Sequence, residues 1–132
     1  MAKSKVDAPE LHQIGAVAKA VGLSLRTIRY YGEMEVAPPS GRTSGGFRLY
    51  TDEDIERLRL VKQMKPLDFT LEEMRDLLET LDGVADGGAD ADEVHERLAM
   101  YAAAADARCK QLRDQLAAAE GIAARLRREA SG

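Results

Sequence analysis

The sequence predicts a mainly α-helical fold with one small β-hairpin and one long C-terminal helix. Apolar residues recur at helical spacing in four stretches between residues 14 and 81. The segment around Pro38 and Pro39 is rich in glycine instead, which is typical of a turn-rich hairpin. From residue 92 to 129 no proline interrupts the chain, which favours a single long helix. The content of 45% apolar and 32% charged residues is that expected of a soluble, helix-rich protein.

Two short helices are predicted after residues 1–10, a polar segment that we expect to be a disordered tail. The apolar face of the first helix comprises Ile14, Val17, Ala18 and Val21. Gly22 ends this helix, and Ser24 is a favourable N-cap for the next. In the second helix the apolar side chains face one way, and Arg26 and Arg29 face another. The pair predicts a helix-turn-helix.

The segment from Val36 to Tyr50 predicts a small β-hairpin, or wing. Pro38-Pro39 excludes a helix, because proline lacks the backbone N–H that a helix needs. A polar loop follows, and its glycines are Gly41, Gly45 and Gly46. Residues 47–50 alternate in polarity and predict a short strand.

Two further helices are predicted after the wing. Thr51 is the N-cap of the third helix, whose first turn is acidic, as the helix dipole favours, and Pro66 ends it. Thr70 and Glu73 predict a capping box for the fourth helix. Residues 11–80 therefore form one predicted domain. Residues 81–91, rich in glycine and aspartate, are predicted to be a hinge.

The last predicted helix spans residues 92–129 and leaves a short tail at 130–132. At about 1.5 Å per residue it is roughly 55 Å long, so a small domain cannot cover its apolar stripe and a partner helix is required. The stripe follows a seven-residue repeat, as in a coiled coil. Arg108 and Gln115 interrupt the repeat, and Cys109 and Leu116 take their places. The predicted dimer interface consists of Val94, Leu98, Tyr101, Ala105, Cys109, Leu112, Leu116, Ala119, Ile122 and Leu126.

Charge is distributed unevenly along the chain. The net charge is −4, but residues 1–66 carry 11 Lys/Arg against 8 Asp/Glu, whereas residues 67–132 carry 8 against 15. Only the N-terminal half is net positive, which is the sign that a nucleic-acid binder needs.

The second helix and the wing carry the candidate DNA contacts. A recognition helix presents short polar and cationic groups to the major groove, and a wing reaches the flanking backbone with cations. Of Tyr30 and Tyr31, we expect one to pack and the other to face phosphate. Tyr31 and Tyr50 each suit a packed ring with a hydroxyl offered to phosphate. The predicted DNA-binding residues are Ser24, Arg26, Thr27, Arg29, Tyr30, Tyr31, Arg42, Arg48 and Tyr50. For Arg42 a solvated loop charge is an equal alternative.

Three blocks of sequence, in this order and spacing, resemble the MerR family of bacterial transcription regulators. They lie at residues 14–31, 45–50 and 54–73, and the resemblance covers residues 11–80. It implies that Arg29, Tyr30, Arg48 and Tyr50 contact DNA. It also implies a homodimer, joined by an antiparallel coiled coil, on palindromic double-stranded promoter DNA whose spacer it distorts for RNA polymerase.

Three positions depart from the family pattern. Gly32 follows the paired tyrosines where an acidic residue is usual, and Glu35 stands where glycine is usual. Pro66-Leu67-Asp68 replaces a common Leu-Gly. These positions lie at helix ends, so we expect local differences in geometry there.

Other functions have less support in the residues. No catalytic constellation occurs, and the sequence predicts neither enzyme activity nor a cofactor. His12 and His95 have no ligand spacing to Cys109, so no metal site is predicted. We expect Cys109 to be buried in the helix seam, and if two antiparallel helices cross near their midpoints, the two Cys109 thiols would lie close together.

The predicted location is the cytoplasm, at the nucleoid, because there is no secretory signal or apolar stretch of membrane-spanning length. The sequence identifies no small-molecule effector. Two alternatives remain open. One is a coiled-coil interaction protein whose winged domain does not bind DNA. The other is an architectural or excisionase-like DNA binder.

Overall fold

The computed structural model describes residues 10–87 and 90–132. The chain divides into two compact units, Met1–Glu79 and Thr80–Gly132. The predicted tail at residues 1–10 lies outside the described residues, apart from Glu10. The elements in chain order are β1 His12–Gln13, α1 Ile14–Val21, α2 Leu25–Glu33, β2 Gly41–Arg42, β3 Arg48–Tyr50, α3 Asp52–Met64, a 3-10 turn Lys65–Leu67, α4 Leu71–Asp86 and α5 Ala91–Ser131.

The helix boundaries follow the capping residues that the sequence predicted. Gly22 ends α1 in the left-handed conformation, with a φ of 71°. The Ser24 hydroxyl accepts the Thr27 amide at 3.1 Å and so caps α2. Capping boxes open the next two helices: the amide of Thr51 donates to Asp54 at 2.9 Å, and that of Thr70 donates to Glu73 at 2.8 Å. In each box the threonine hydroxyl in turn accepts a hydrogen bond from the amide of Asp54 or Glu73. All of these caps were predicted.

The wing belongs to a three-stranded antiparallel sheet with the order β1-β3-β2. Gly41 pairs with Leu49 and Arg42 with Arg48, which is the predicted hairpin. The third strand was not predicted: His12 pairs with Tyr50 on the other edge of β3. A two-residue strand carries too little alternation to be detected in a sequence, but it joins the start of α1 to the wing.

One hydrophobic core holds the first unit together. Its largest fully buried side chains come from the helices, from the sheet and from the turn after α2, and they are Tyr50, Ile28, Leu58, Leu78, Val17, Val36 and Val61. The predicted apolar faces of α1, α3 and α4 all contribute to this core. The core therefore fixes α2 and the wing on the same body.

The predicted hinge at 81–91 is partly helical. Helix α4 continues to Asp86, and Gly87 follows with a φ of 69°. Leu81 is a good helix former, and a single internal glycine such as Gly83 costs only about 1 kcal/mol. The prediction was therefore wrong for residues 81–86, and the break between helices is shorter than expected.

Helix α5 spans 41 residues, within two residues of the predicted bounds at each end. The Asp90 carboxylate accepts the Asp92 and Glu93 amides at 2.9 and 3.4 Å, so it caps the helix. Val94 and Tyr101 are the buried residues of this helix. Further along, Leu116 is 58% exposed and Leu126 61%. None of the described helices has the length and hydropathy needed to cross a membrane.

Candidate nucleic-acid interface

Helix α2 divides its side chains between the core and the solvent. Ile28 and Tyr31 are buried, whereas Arg26, Arg29 and Tyr30 are exposed. The rings of Tyr30 and Tyr31 have centroids 5.7 Å apart. Tyr31 is the tyrosine that packs and Tyr30 the one that is exposed, and contact of Tyr30 with phosphate stays a prediction. The exposed face therefore carries two cations and one phenol.

The start of α2 is preorganised by two short side chains. The Ser24 hydroxyl accepts the Thr27 amide and also lies 2.9 Å from the Thr27 hydroxyl, to which it donates. Ser24 is exposed and Thr27 is half-buried. Both predicted contact residues thus sit at the N-terminal end of the helix, where the backbone amides point outward and the helix dipole favours an anion.

A second group of cations is used inside the fold. Lys62 donates to the Val21 carbonyl at 2.9 Å and Arg59 to the Ala20 carbonyl at 3.4 Å, both at the end of α1. Beyond the end of α2, Arg57 donates to the Val36 carbonyl at 3.1 Å, and Arg75 donates to the Met34 carbonyl. Cations suit these positions, because carbonyls at helix ends carry partial negative charge. The cations of this unit therefore form two groups. One group hydrogen-bonds to backbone carbonyls within the fold, and the other is exposed on α2 and the wing.

The wing places two arginines opposite each other. Arg42 and Arg48 are direct cross-strand partners in the antiparallel pair β2–β3. Like charges in this relation repel each other. The Arg42 guanidinium donates to the Gly46 carbonyl at 3.0 Å, which uses only part of its five-donor capacity. An anion placed between the two arginines would relieve their repulsion.

Tyr50 is the residue of the wing that packs into the core. Its side chain is wholly buried, and its hydroxyl has no hydrogen-bond partner among the described residues. Burial raises the pKa of Tyr50 above its usual value. The positive charges of Arg48, Arg42 and Arg29 act on the same phenol and lower its pKa, while Asp54 raises it. The phenol is therefore subject to positive charge from both α2 and the wing.

The structure does not bring every predicted DNA contact to the surface. The rings of Tyr31 and Tyr50 pack inward as predicted. The Tyr50 hydroxyl, however, is buried as well, so a phosphate oxygen cannot reach it unless the side chain moves. The predicted residues that share the exposed surface are Ser24, Arg26, Arg29, Tyr30 and Arg42, with Thr27 and Arg48 half-buried beside them.

Two features of this region were not identified from the sequence. His12 Nε2 lies 2.8 Å from Asp52 Oδ1, which links β1 to the first turn of α3. Phe47 is 69% exposed in the wing. Neither feature has a sequence signal, because a contact 40 residues apart and the exposure of one aromatic residue both depend on the folded geometry.

A possible cation site occurs beside the first of these features. Among the described residues, ligand atoms of Glu10, His12 and Asp52 lie within 4.8 Å of one another. His12 and Asp52 already satisfy each other through their hydrogen bond, and the two carboxylates are exposed. The arrangement serves as a structural link, and we assign no metal to it.

Glu35 shows how a departure from the family pattern is accommodated. The residue adopts a φ of 59°, in the left-handed region that favours glycine. The turn after α2 therefore keeps a glycine-like backbone although it carries a glutamate. Asp68, another departure, does the same with a φ of 63°.

The predicted dimer seam lies along α5. Of its ten residues, Val94 and Tyr101 are buried and Leu98, Ala105, Cys109 and Leu112 are half-buried. The other four are exposed, namely Leu116, Ala119, Ile122 and Leu126. Exposure of the apolar stripe therefore increases toward the C-terminal end.

Comparison with known sequence families gives two overlapping matches. A family described as "MerR HTH family regulatory protein" matches residues 13–81, and one described as "MerR, DNA binding" matches residues 55–128. Each covers more than half of the chain. The matches include α2, the wing and most of α5.

Individual relatives match about half of this chain. The chain is 46% identical over 66 residues to a ZntR homolog of Haemophilus influenzae, which covers 50% of this chain and 49% of that protein. It is 41% identical over 68 residues to the transcriptional regulator ZntR of Escherichia coli, covering 52% and 48%. The chain thus spans about half the length of the curated relatives it matches.

The fold also matches solved structures. One is HiNmlR, a MerR family regulator lacking the sensor domain, solved bound to promoter DNA. The match has a TM-score of 0.61 at 23% identity and covers 92% of this chain and 89% of that one. At this identity the match establishes a common fold.

Proposed function

The chain belongs to the MerR family of helix-turn-helix regulatory proteins, and we propose from this that it binds promoter DNA and controls transcription as a homodimer. The observation that carries the proposal is that two elements separate in sequence both carry arginines at the surface of the first unit. Arg26 and Arg29 are exposed on α2, and Arg42 and Arg48 are cross-strand partners in the wing. A polyanion that contacts both elements accounts for the arrangement.

Helix α2 is the proposed reading element. Its N-terminal end carries Ser24 and Thr27, and its exposed face carries Arg26, Arg29 and Tyr30. In a major groove, arginine donates two hydrogen bonds to guanine and hydroxyls donate to bases or phosphates. Hydrogen bonds to the Val21 carbonyl, just before α2, and to the Val36 carbonyl, beyond its end, keep this face fixed, so little order has to be gained on binding.

The wing is the proposed backbone contact. Arg42 and Arg48 repel each other across β2 and β3, and phosphate oxygens placed beside them would remove that repulsion. Tyr31 and Tyr50 support the surface from within the core. We therefore assign these two tyrosines to the packing beneath the interface.

Helix α5 is the proposed dimer element. It is roughly 60 Å long at the usual rise of a helix, and its C-terminal half exposes Leu116, Ile122 and Leu126. A second copy of the same helix is the simplest cover for such a stripe. The proposed seam includes the ten residues predicted from the seven-residue repeat, Cys109 among them.

Charge supports an antiparallel pairing of two α5 helices. The start of the helix is acidic, with Asp90, Asp92, Glu93 and Glu96, whereas its end carries Arg125, Arg127 and Arg128. In an antiparallel pair the acidic start of each helix faces the basic end of its partner. A parallel pair would place like charges side by side.

A dimer of this kind fixes the separation of two recognition helices, and so the spacing of two half-sites. We therefore propose a palindromic operator within a promoter, where distortion of the spacer by the bound dimer changes its use by RNA polymerase. The alternative of an interaction protein without DNA binding leaves the exposed arginines of α2 and the wing without a role.

Binding to duplex DNA tests the proposal. A fluorescent fragment carrying the promoter of the gene for this chain is titrated at two salt concentrations, with unrelated DNA of equal length as comparison. The variants are Arg29→Ala and, as a matched control, Arg113→Ala on the exposed face of α5. We expect selective, salt-sensitive binding that collapses in Arg29→Ala and survives in Arg113→Ala. A folded dimer that does not bind at low salt would contradict the proposal.

A further inference from the structure

Helix α3 supplies cations that hold the backbone on both sides of α2. Lys62 Nζ donates to the Val21 carbonyl, just before α2, at 2.9 Å. Arg57 Nε donates to the Val36 carbonyl, beyond the end of α2, at 3.1 Å. The two cations belong to the same helix and lie roughly 7.5 Å apart along its axis. One rigid element therefore fixes the proposed reading helix before its start and after its end.

The Val21 carbonyl lies at the pivot between α1 and α2. Only residues 22–24 separate the two helices. Gly22 adopts the left-handed conformation, and its amide donates to the Ala18 carbonyl at 2.9 Å. A Cβ atom on Gly22 would lie 2.8 Å from Lys62 Nζ, so a side chain there would displace the ammonium. Glycine at this turn therefore leaves the room in which Lys62 reaches the backbone.

The Val21 carbonyl suits a cationic donor. Val21 is the last residue of α1, so its carbonyl has no partner within that helix and lies at the negative end of the helix dipole. A hydrogen bond from an ammonium group is stronger than one from a neutral donor. A methionine at position 62 would occupy similar space but could not donate. We therefore attribute the hold on this turn to the ammonium of Lys62 and not to the volume of its side chain.

A small rotation at this pivot would move the exposed face of α2. A helix of nine residues is about 13 Å long, so a rotation of about 10° would displace its far end by roughly 2 Å. Hydrogen bonds to base edges would be lost, because they require donor–acceptor distances of about 2.7–3.2 Å. Binding to DNA of any sequence depends mainly on charge, and a shift of this size leaves the charge in place. The angle of α2 therefore affects selectivity more than it affects general affinity.

We propose that Lys62 and Arg57 are positioning residues that set the sequence selectivity of DNA binding. The inference rests on the proposed function and deepens it, because neither side chain is among the proposed DNA contacts. Each acts through a backbone carbonyl that fixes α2 relative to α3. Loss of either cation lowers the affinity for the promoter and leaves the affinity for unrelated DNA unchanged.

The variant Lys62→Met keeps an unbranched side chain and removes the ammonium. We expect the ratio of promoter affinity to unrelated-DNA affinity to fall roughly tenfold, as the loss of one well-placed base contact would cause. The slope of log K against log salt should stay at the wild-type value, because no phosphate contact is lost. Lys62→Arg restores a cationic donor and should recover most of the selectivity. Arg57→Met should reproduce the loss from the other side of α2.

A control of equal charge is Lys110→Met on the exposed face of α5, and it should leave the affinity ratio unchanged. Melting temperatures show that each variant is folded at the temperature of the titration. A salt slope lower by about one in Lys62→Met, with weaker binding to both DNAs, would identify Lys62 as a phosphate contact and overturn the inference. A lower melting temperature with an unchanged affinity ratio would overturn it as well, because the role would then be structural alone.

The variant Arg29→Ala separates a failed inference from a failed function. If Arg29→Ala collapses promoter binding while Lys62→Met keeps full selectivity, the inference is overturned and the proposed function stands. If Arg29→Ala has no effect on promoter binding, the proposed function fails.

Discussion

The two units of this chain differ in how far they bury their apolar side chains. The first unit closes a core of its own, in which Tyr50, Leu58 and Val17 are fully buried. The C-terminal helix leaves Leu116, 58% exposed, and Leu126, 61% exposed, toward its end. The first unit is therefore specified by contacts within the chain, whereas the helix carries a surface whose partner lies outside it. The difference fits the proposed division of roles, in which the first unit binds DNA and the helix pairs with a second copy.

The largest effect on stability is expected when a leucine of each unit is replaced by alanine. Leu58→Ala leaves a cavity in a closed core and should lower the free energy of unfolding by about 2–5 kcal/mol at every protein concentration. Leu116→Ala should lower the apparent stability by an amount that depends on concentration, because the lost contact is between chains. Urea unfolding at two protein concentrations measures both. A concentration-independent loss for Leu116→Ala would contradict the dimer seam.

Helix caps in the two units give the next largest effect. Ser24→Ala removes the hydroxyl that caps α2 and should cost about 1 kcal/mol of stability. It should also weaken DNA binding, since the start of the reading helix frays. Asp90→Ala removes the cap of α5, and we expect a comparable local loss with DNA affinity unchanged. Thermal melts and the promoter titration measure the two quantities, and equal loss of affinity in both variants would argue against separate roles.

Features set by residues close in sequence could be predicted from the sequence alone, whereas features set by distant residues could not. The caps at Ser24, Thr51 and Thr70 were predicted, because capping depends on residues three apart. The strand at His12 and the hydrogen bond from Lys62 to the Val21 carbonyl were not predicted, because each joins residues about 40 apart in sequence. The arginines of the candidate site were predicted, Arg26 and Arg29 from the face of a helix and Arg42 and Arg48 from the wing. The burial of the Tyr50 hydroxyl was not, because it depends on packing from several elements.

Replacing either of two residues in the left-handed conformation by glycine should have a smaller effect, and this effect should be an increase in stability. Glu35 has a φ of 59°, which costs a non-glycine residue roughly 1 kcal/mol. Glu35→Gly should therefore stabilise the first unit by up to about 1 kcal/mol, less the added chain entropy of glycine. Asp68→Gly should gain less, because aspartate tolerates this conformation. A shift in the urea midpoint measures both variants, and destabilisation by Glu35→Gly would show that its side chain has a structural role.

Tyr50→Phe is expected to have the smallest effect at neutral pH. The hydroxyl is buried without a described partner, so its loss should be neutral or slightly stabilising. The folded-state pKa of Tyr50 is raised by burial above the usual 10.0. Its contribution to stability is therefore complete below that pH and is lost as pH rises from there toward the folded-state pKa. Unfolding titrations should show a smaller alkaline loss in Tyr50→Phe than in the wild type. Equal losses would contradict burial of the phenol.

Footprinting of the promoter fragment tests the central claim most directly, since it reports recognition and pairing together. The wild type and a variant carrying Leu116→Glu and Leu126→Glu are compared at equal concentration. We expect two protected half-sites related by twofold symmetry for the wild type. For the variant, which keeps every proposed DNA contact but cannot pair its helices, both half-sites should lose protection. Full protection by a monomeric variant, or protection of a single asymmetric site by the wild type, would contradict the division of the chain into a reading unit and a pairing helix.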